Sequence, residues 1–231
     1  MQENLSERAY EHIRKRLARG IWPAGTRLAS RTLADEIGVS FTPVREAIQR
    51  LASERLVDFA PGAGASVRHP NRREVAELYD LRLVLEPFAA GLAARNASAY
   101  RLDEVEAAND VLRAIANELV EGEPASTDQV NRWLDHEEVF HTRLIDAADN
   151  RWLSKIGGEL RFVSQVFSSQ RGSAGLLTKP VAEVTCDAHA VLVDLLRQRD
   201  EAGAQDWARQ QIELGKRRVL AYLERHDAEP S

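Results

Sequence analysis

The sequence predicts a mainly α-helical chain in two parts. Three helices and a β-hairpin fill residues 1–70, and an all-α antiparallel bundle fills residues 71–231. Three observations predict this. Ala, Leu, Glu and Arg are plentiful, and the 231 residues include only 13 glycines and 8 prolines, a composition that favours helix. Apolar residues recur at helical spacing along nearly the whole length. The clearest stretch of strand character, "LVDFAPGAGASVRHP", falls between a cluster of short helical runs and a long helical remainder.

The first helix is expected over Ser6–Arg19, capped by Ser6 and ended by Gly20, with Ala9, Ile13 and Leu17 as its apolar stripe. "IWPAGTRLAS" follows as a connector. Ser30 caps a short second helix, "RTLADEI", that stops at Gly38. After the turn "VS", Thr42 caps a third helix with Pro43 at its first position, where a missing N–H costs nothing. Val44, Ala47, Ile48 and Leu51 form its inner face. "LVDFA" and "ASVRH" then read as two strands around Pro61-Gly62-Ala63-Gly64. Three helices and a hairpin with a helix-turn-helix at their centre make a winged helix-turn-helix.

Past Pro70 the pattern turns helical. Asn71 and Glu74 have capping-box spacing ahead of a helix running to about Ala97, with Pro87 inside it as a source of a kink. Further helices are expected at 99–121, 128–148, 151–169, 180–199 and 202–225, with "EGEPAST" and "SSQRGSAGLLTKP" as loops. The linker near 68–73 is short.

Charge separates the two parts. Residues 1–72 carry 12 Lys+Arg against 8 Asp+Glu, a net of +4; the remainder carries 19 against 28, a net of −9. A basic first third on an acidic body points to a polyanionic partner for that third. No run of 18 apolar residues is long enough to span a membrane, and the N-terminus lacks a signal-peptide core. The lone Cys186 excludes an internal disulfide framework and fits a reducing cytoplasm.

Arg45 falls in the expected first turn of the third helix, where the helix dipole disfavours a cation. A recognition helix beside DNA resolves the conflict. Its N-terminal residues enter the major groove, and an arginine there reaches a guanine edge. Ser40 and Thr42 supply hydroxyls for phosphate, Arg31 reaches backbone or base, and Gly62 and Gly64 allow close backbone approach in the hairpin. A plain surface pair of Arg45 with Glu46 or Asp58 competes, but cap, proline, second helix and hairpin agree on DNA.

In the bundle, Arg82 lies on the stripe Leu78, Arg82, Leu85, Ala89, Leu92. Chemistry alone favours an ion pair with Glu86, its i+4 neighbour, over a fork for a bound carboxylate. A second stripe, Val130, Leu134, Glu137, His141, Leu144, Ala148, aims Glu137 and His141 at one point. His189 shares a face with Cys186, Val193 and Leu196, and Gln211 lies between Ala208 and Gly215. One histidine on an apolar face is usually a satisfied core residue; three ionisable groups on such faces point to a site.

The segment "RLASRTLADEIGVSFTPVREAIQRLASERLVDFAPGAGASV" resembles the winged-helix domain of GntR-type bacterial transcription regulators, over about residues 6–70. The resemblance implies that Arg31, Thr42, Arg45 and the hairpin glycines contact operator DNA. An arginine is common in the family where Phe41 stands, which implies a different preferred operator. "LYDLRLVLEPFAAGLAA", "EEVFHTRLIDAADN" and "DAHAVLVDLLRQRD" are similar to the helical effector domain of the FadR-type (FCD) branch, over roughly 73–225. Many members bind a divalent metal such as zinc, nickel or manganese through Asp and three His, with a small carboxylate nearby. Glu137 matches the Asp, and His141 and His189 match two histidines. Gln211 stands where the third is expected, and a neutral amide is a poorer ligand than imidazole. The resemblance also favours Arg82 as a pocket residue and puts Asn150 near the pocket.

The function expected is a cytoplasmic, ligand-responsive transcription regulator, a repressor, acting as a homodimer on a palindromic operator and responding to a small carboxylate effector. The alternative is a metal-dependent hydrolase built on Glu137, His141 and His189 around an open metal position. That alternative has no separate general base and leaves the first domain without a role.

Overall fold

A computed structural model describes residues 4–60, 64–169 and 177–226. The chain divides into two compact units, Met1–Pro70 with Gln165–Gly172, and Asn71–Ser164 with Ser173–Ser231.

In the first unit, α1 (Leu5–Ala18) is capped by Asn4, whose side-chain oxygen accepts from the N–H groups of Ser6 and Glu7 at 3.2 and 3.3 Å. The cap is therefore two residues earlier than expected, and Ser6 donates to it. Strand β1 (Arg27–Leu28) lies within the segment expected to be only a connector. Helix α2 (Ser30–Ile37) has Ala29 at its cap position, so Ser30 is its first helical residue and not its cap. Helix α3 (Phe41–Ser53) starts after Ser40, which makes no side-chain capping bond. Thr42 and Pro43 are thus its second and third residues, and Arg45 its fifth, one turn in. The error has a simple cause: Ser40 and Thr42 are both competent caps, and proline is tolerated throughout a first turn whose N–H groups are free.

Strands β2 (Val57–Ala60) and β3 (Gly64–Val67) pair antiparallel, with Val57 opposite Val67 and Ala60 opposite Gly64. Strand β1 adds to the other edge of β3, giving the order β1-β3-β2. Ile13, Leu17, Val44, Ile48, Leu51, Leu56 and Val67 are almost fully buried and form the unit's core.

The second unit begins with α4 (Arg72–Asn96), opened by the capping box of Asn71 and Glu74 and running as one helix through Pro87. It continues with α5 (Ala99–Glu118), α6 (Thr127–Ala147), α7 (Arg151–Ser169), α8 (Lys179–Arg197) and α9 (Glu201–His226). Ser98 caps α5, and Ser126 with Gln129 forms a second capping box on α6. Helix α4 packs against α6, α8 and α9, and α5 against α6 and α8. The main core joins Ala90, Ala93, Leu112, Ile115, Phe140, Cys186 and Leu196. A smaller cluster of Ala89, Leu92, Ile145, Ala148 and Leu153 ties α7 to α4 and α6.

Where α4 meets α9 the fit depends on Gly91. A Cβ there would lie 2.2 Å from Nε2 and 2.6 Å from Cγ of Gln205, inside van der Waals contact. No helix among the described residues is long and apolar enough to cross a membrane.

Candidate functional site

Two groups of residues carry the candidate chemistry, one in each unit. In the first unit, the arginines sort by what they touch. Arg50 bonds Glu7 at 2.9 Å, reaches Glu54 at 3.3 Å and lies over the Tyr10 ring at 3.5 Å. Arg8 donates to the Ile37 carbonyl, and Arg16 pairs with Glu36 and stands over Trp22. Tyr10 donates to Glu54, and burial together with that carboxylate pushes its hydroxyl up to about 12. These contacts fasten α1 to α2 and α3.

Arg31 and Arg45 are exposed and take part in no such contact among the described residues. Arg45 pairs with neither surface candidate, and Asp58 is instead approached by Arg68 at 4.0 Å. Ser40, Phe41 and Thr42 are exposed at the start of α3, so the side chains expected to face DNA lie on one solvent-facing end of the helix. Gly64 begins β3 at φ +91°, a left-handed conformation that an L side chain would resist. The Arg27 guanidinium lies beside it, about 3.5 Å from where a Cβ would stand. Gly62 is outside the described residues.

In the second unit, the structure brings Glu137 and His141 of α6 together with His189 of α8. Their ligand atoms lie within 4.8 Å of one another. His141 Nε2 is 3.5 Å from Glu137 Oε2, and His189 Nε2 is 3.9 Å from Glu137 Oε1. The His189 ring stacks on Phe140 at 3.7 Å and meets His141 edge to face at 5.3 Å. Burial, reinforced by His141 and Arg161, pushes His189 down to about 3, and burial with Arg161 lowers His141. Both rings are therefore neutral at pH 7, the form that ligates metals. Burial would raise Glu137, but His189, His141 and Arg161 outweigh it and hold it at about 2, so it stays ionised.

This donor set fits a divalent ion. It offers a carboxylate oxygen and two neutral imidazoles on two rigid helices. Glu137 Oε1 and His189 Nδ1 are buried without a hydrogen-bond partner among the described residues, which is costly unless something else engages them. Gln211 is half-buried on α9. Asn150 is the N-cap of α7, its side-chain oxygen accepting from the N–H groups of Trp152 and Leu153 at 3.1 Å.

A second charged cluster is coupled to the first. Arg82 Nε donates to Glu86 Oε1 at 2.6 Å, and Arg82 lies 4.7 Å above the Tyr79 ring. The i+4 ion pair expected from chemistry alone is thus present, and it is buried. Arg161 of α7, which sequence reasoning missed, brings a second guanidinium to within 3.6 Å of Glu86. It lies on the stripe Leu153, Gly157, Arg161, Ser164, the same kind of signal that singled out Arg82. Its Nε is buried with no hydrogen-bond partner among the described residues. Burial would raise Glu86, but Arg82 and Arg161 hold it down at about 2. Two cations around one carboxylate leave guanidinium hydrogen-bonding capacity for a second anion.

The flanks of the metal-like group are aromatic. Trp133 lies buried on α6, one turn ahead of Glu137. Trp207 Nε1 donates to the carbonyl of Ala188, next to His189, at 2.9 Å.

Comparison with known proteins bears on both units. Residues 5–67 match the profile of bacterial regulatory proteins of the gntR family, and residues 77–214 match the FCD domain. The gluconate operon transcriptional repressor of Bacillus subtilis (strain 168) is 30% identical over 159 residues, covering 69% of this chain and 61% of that protein. The HTH-type transcriptional regulator McbR of Escherichia coli (strain K12) is 30% identical over 129 residues, covering 56% and 57%. The chain thus spans about three fifths of the length of these curated relatives. Among solved structures, E. coli McbR/YncC superposes with a TM-score of 0.76 at 20% identity, covering 96% of this chain and 98% of that one. At that identity the likeness shows the fold alone.

Proposed function

We propose that this chain, which belongs to the gntR family of bacterial regulatory proteins and carries an FCD domain, is a ligand-responsive DNA-binding transcription regulator, acting as a repressor. One observation carries the DNA-binding part. Arg8, Arg16 and Arg50 are held by partners inside the first unit, whereas Arg31 and Arg45 stand exposed on α2 and α3 with no such partner among the described residues. Residues 1–70 form the DNA-binding domain. Arg45 reads a base edge, Arg31, Ser40 and Thr42 hold the backbone, and Gly62 and Gly64 let the hairpin approach it. Two copies bind as a homodimer across a palindromic operator, because two half-sites one turn apart need two recognition helices. The protein works in the cytoplasm.

Residues 71–231 form the effector-binding and dimerisation domain. A small carboxylate docks against the guanidiniums of Arg82 and Arg161, with Asn150 nearby, and it shifts the population between DNA-competent and incompetent states. Glu137, His141 and His189 would hold a divalent ion, with Gln211 at the fourth position; the ion would anchor the effector as a Lewis acid. Neutral His141 and His189 and ionised Glu137 are already in the protonation states this requires. The family and the named relatives are transcription regulators, not enzymes, so the hydrolase alternative is set aside.

Selection from a random duplex library, followed by release of the selected DNA with gluconate, citrate or lactate as probes, tests this function. A relative is named for a gluconate operon, which makes a hydroxy-carboxylate the first probe. Enrichment of no sequence would refute it.

A further inference from the structure

We propose that Phe41 is a specificity-determining residue that reads a thymine through its C5-methyl group, one to two base pairs from the guanine read by Arg45. This inference rests on the DNA-binding function proposed above and names one half-site base that α3 selects.

Phe41 is the first residue of α3, and it is 45% exposed. Large apolar side chains on a helix normally lie on the core, as Val44 and Ile48 do on this helix. Phe41 instead leaves nearly half of its surface in solvent. Arg45 lies at i+4 and is also exposed, so the two side chains leave the same face of α3, one turn apart. Four residues rise about 6 Å, and successive base pairs are about 3.4 Å apart, so for a helix lying along the groove the offset is one to two steps. The neighbouring Arg50 is held by Glu7, Glu54 and Tyr10, so it does not compete for that face.

The chemistry of the side chain narrows the target. A phenyl ring neither donates nor accepts hydrogen bonds, so it cannot read the N7 and O6 acceptors of guanine or grip a phosphate. Among the groups displayed in the major groove, the thymine methyl is the apolar one. Docking on it removes the exposed Phe41 surface from water and leaves no polar group unsatisfied.

The full chain, its Phe41→Ala variant and its Arg45→Ala variant are each used to select from a random-sequence duplex library. Wild type should enrich a half-site with a thymine one or two steps from a guanine. Phe41→Ala should lose the thymine and keep the guanine; Arg45→Ala should do the reverse. In a synthetic duplex of the selected site, that thymine is then replaced by uracil, which removes only the methyl. Wild-type affinity should fall about four-fold, the value of one buried methyl-sized group, and Phe41→Ala should bind both duplexes equally. The uracil arm needs no variant, so it stands even if Phe41→Ala folds poorly. Equal binding of thymine and uracil duplexes by wild type overturns the proposal. So does a guanine or an unselected base at that position, or a change of association state in Phe41→Ala with base preference intact. If wild type enriches no sequence at all, the DNA-binding function itself fails, which separates the two ideas.

Discussion

Glu86→Gln puts the buried charge cluster to a quantitative test. Glu86 is 7% exposed and its partner Arg82 9%, and a second guanidinium, that of Arg161, lies 3.6 Å away. Glutamine keeps the shape and removes the charge, leaving Arg82 buried without its carboxylate partner and Arg161 with one carboxylate fewer beside it. Breaking a buried ion pair on one side costs roughly 3–5 kcal/mol. The depressed proton affinity that the same contacts impose leads to a similar figure. Its proton affinity is held at about 2, against 4.5 for a free glutamate. At about 1.4 kcal/mol per pH unit that interval is worth roughly 3 kcal/mol. Because the folded value is lowered, this stability is present in full above pH 4.5 and is lost as pH falls from 4.5 towards 2. Glu137 contributes a loss of the same sign, so the informative quantity is the difference between wild type and variant. Urea unfolding followed by helical circular dichroism should show Glu86→Gln less stable by roughly 3–5 kcal/mol at pH 7. The gap should narrow steadily below pH 4.5. A difference under about 1 kcal/mol at pH 7, no more than a surface pair contributes, would refute the reasoning. So would a gap that does not change on acidification.

Arg45→Ala should lose ~1–3 kcal/mol of affinity for the selected operator and far less for random DNA. Equal loss on both, measured by fluorescence anisotropy, would reduce Arg45 to a phosphate contact. Arg82→Leu alone would take from Glu86 its hydrogen-bonded cation, so the effector test uses Arg82→Leu with Glu86→Leu: the pair should stay folded, bind operator and no longer respond to the carboxylate. A retained response would remove Arg82 from the pocket. Gly91→Ala should cost ~1–3 kcal/mol through overpacking against Gln205, and Gln205→Ala in the same chain should restore most of it; failure to restore would mean that the backbone of α9 is the true obstacle. Metal on the wild type should be removed by brief chelation, and Gln211→His should hold it more tightly; elemental analysis showing neither protein with metal before chelation would end the metal assignment.

Features written in side-chain identity at fixed local spacing were legible in advance. Asn71 and Glu74 make a capping box because they stand three positions apart. Glu137 and His141 share a face because they stand four apart, and the Arg82–Glu86 pair has the same origin. Where several residues could do one job, local chemistry did not choose. Ser40 and Thr42 are both competent caps, and the folded helix starts after Ser40, which moves Arg45 two residues inward from the expected position. Strand β1 is two residues long, too short for any periodicity to register, and it exists because β3 offers it an edge. The contacts of Arg161 with Glu86 and of His189 with Phe140 join segments distant in sequence, so they depend on how α4, α6, α7 and α8 pack.

The indoles are placed in a way that makes occupancy of the bundle visible by light. Of the four tryptophans, Trp22 lies in the first unit beside Arg16, and Trp152 is largely exposed. Trp133 and Trp207 are the two that adjoin the Glu137–His189 group, the latter through its bond to Ala188. A buried indole changes emission wavelength and yield when a neighbouring imidazole or carboxylate takes on an ion or a hydrogen bond. With Trp22 and Trp152 replaced by phenylalanine, the native emission becomes a label-free gauge of what enters the helical unit, readable at concentrations far below those calorimetry needs.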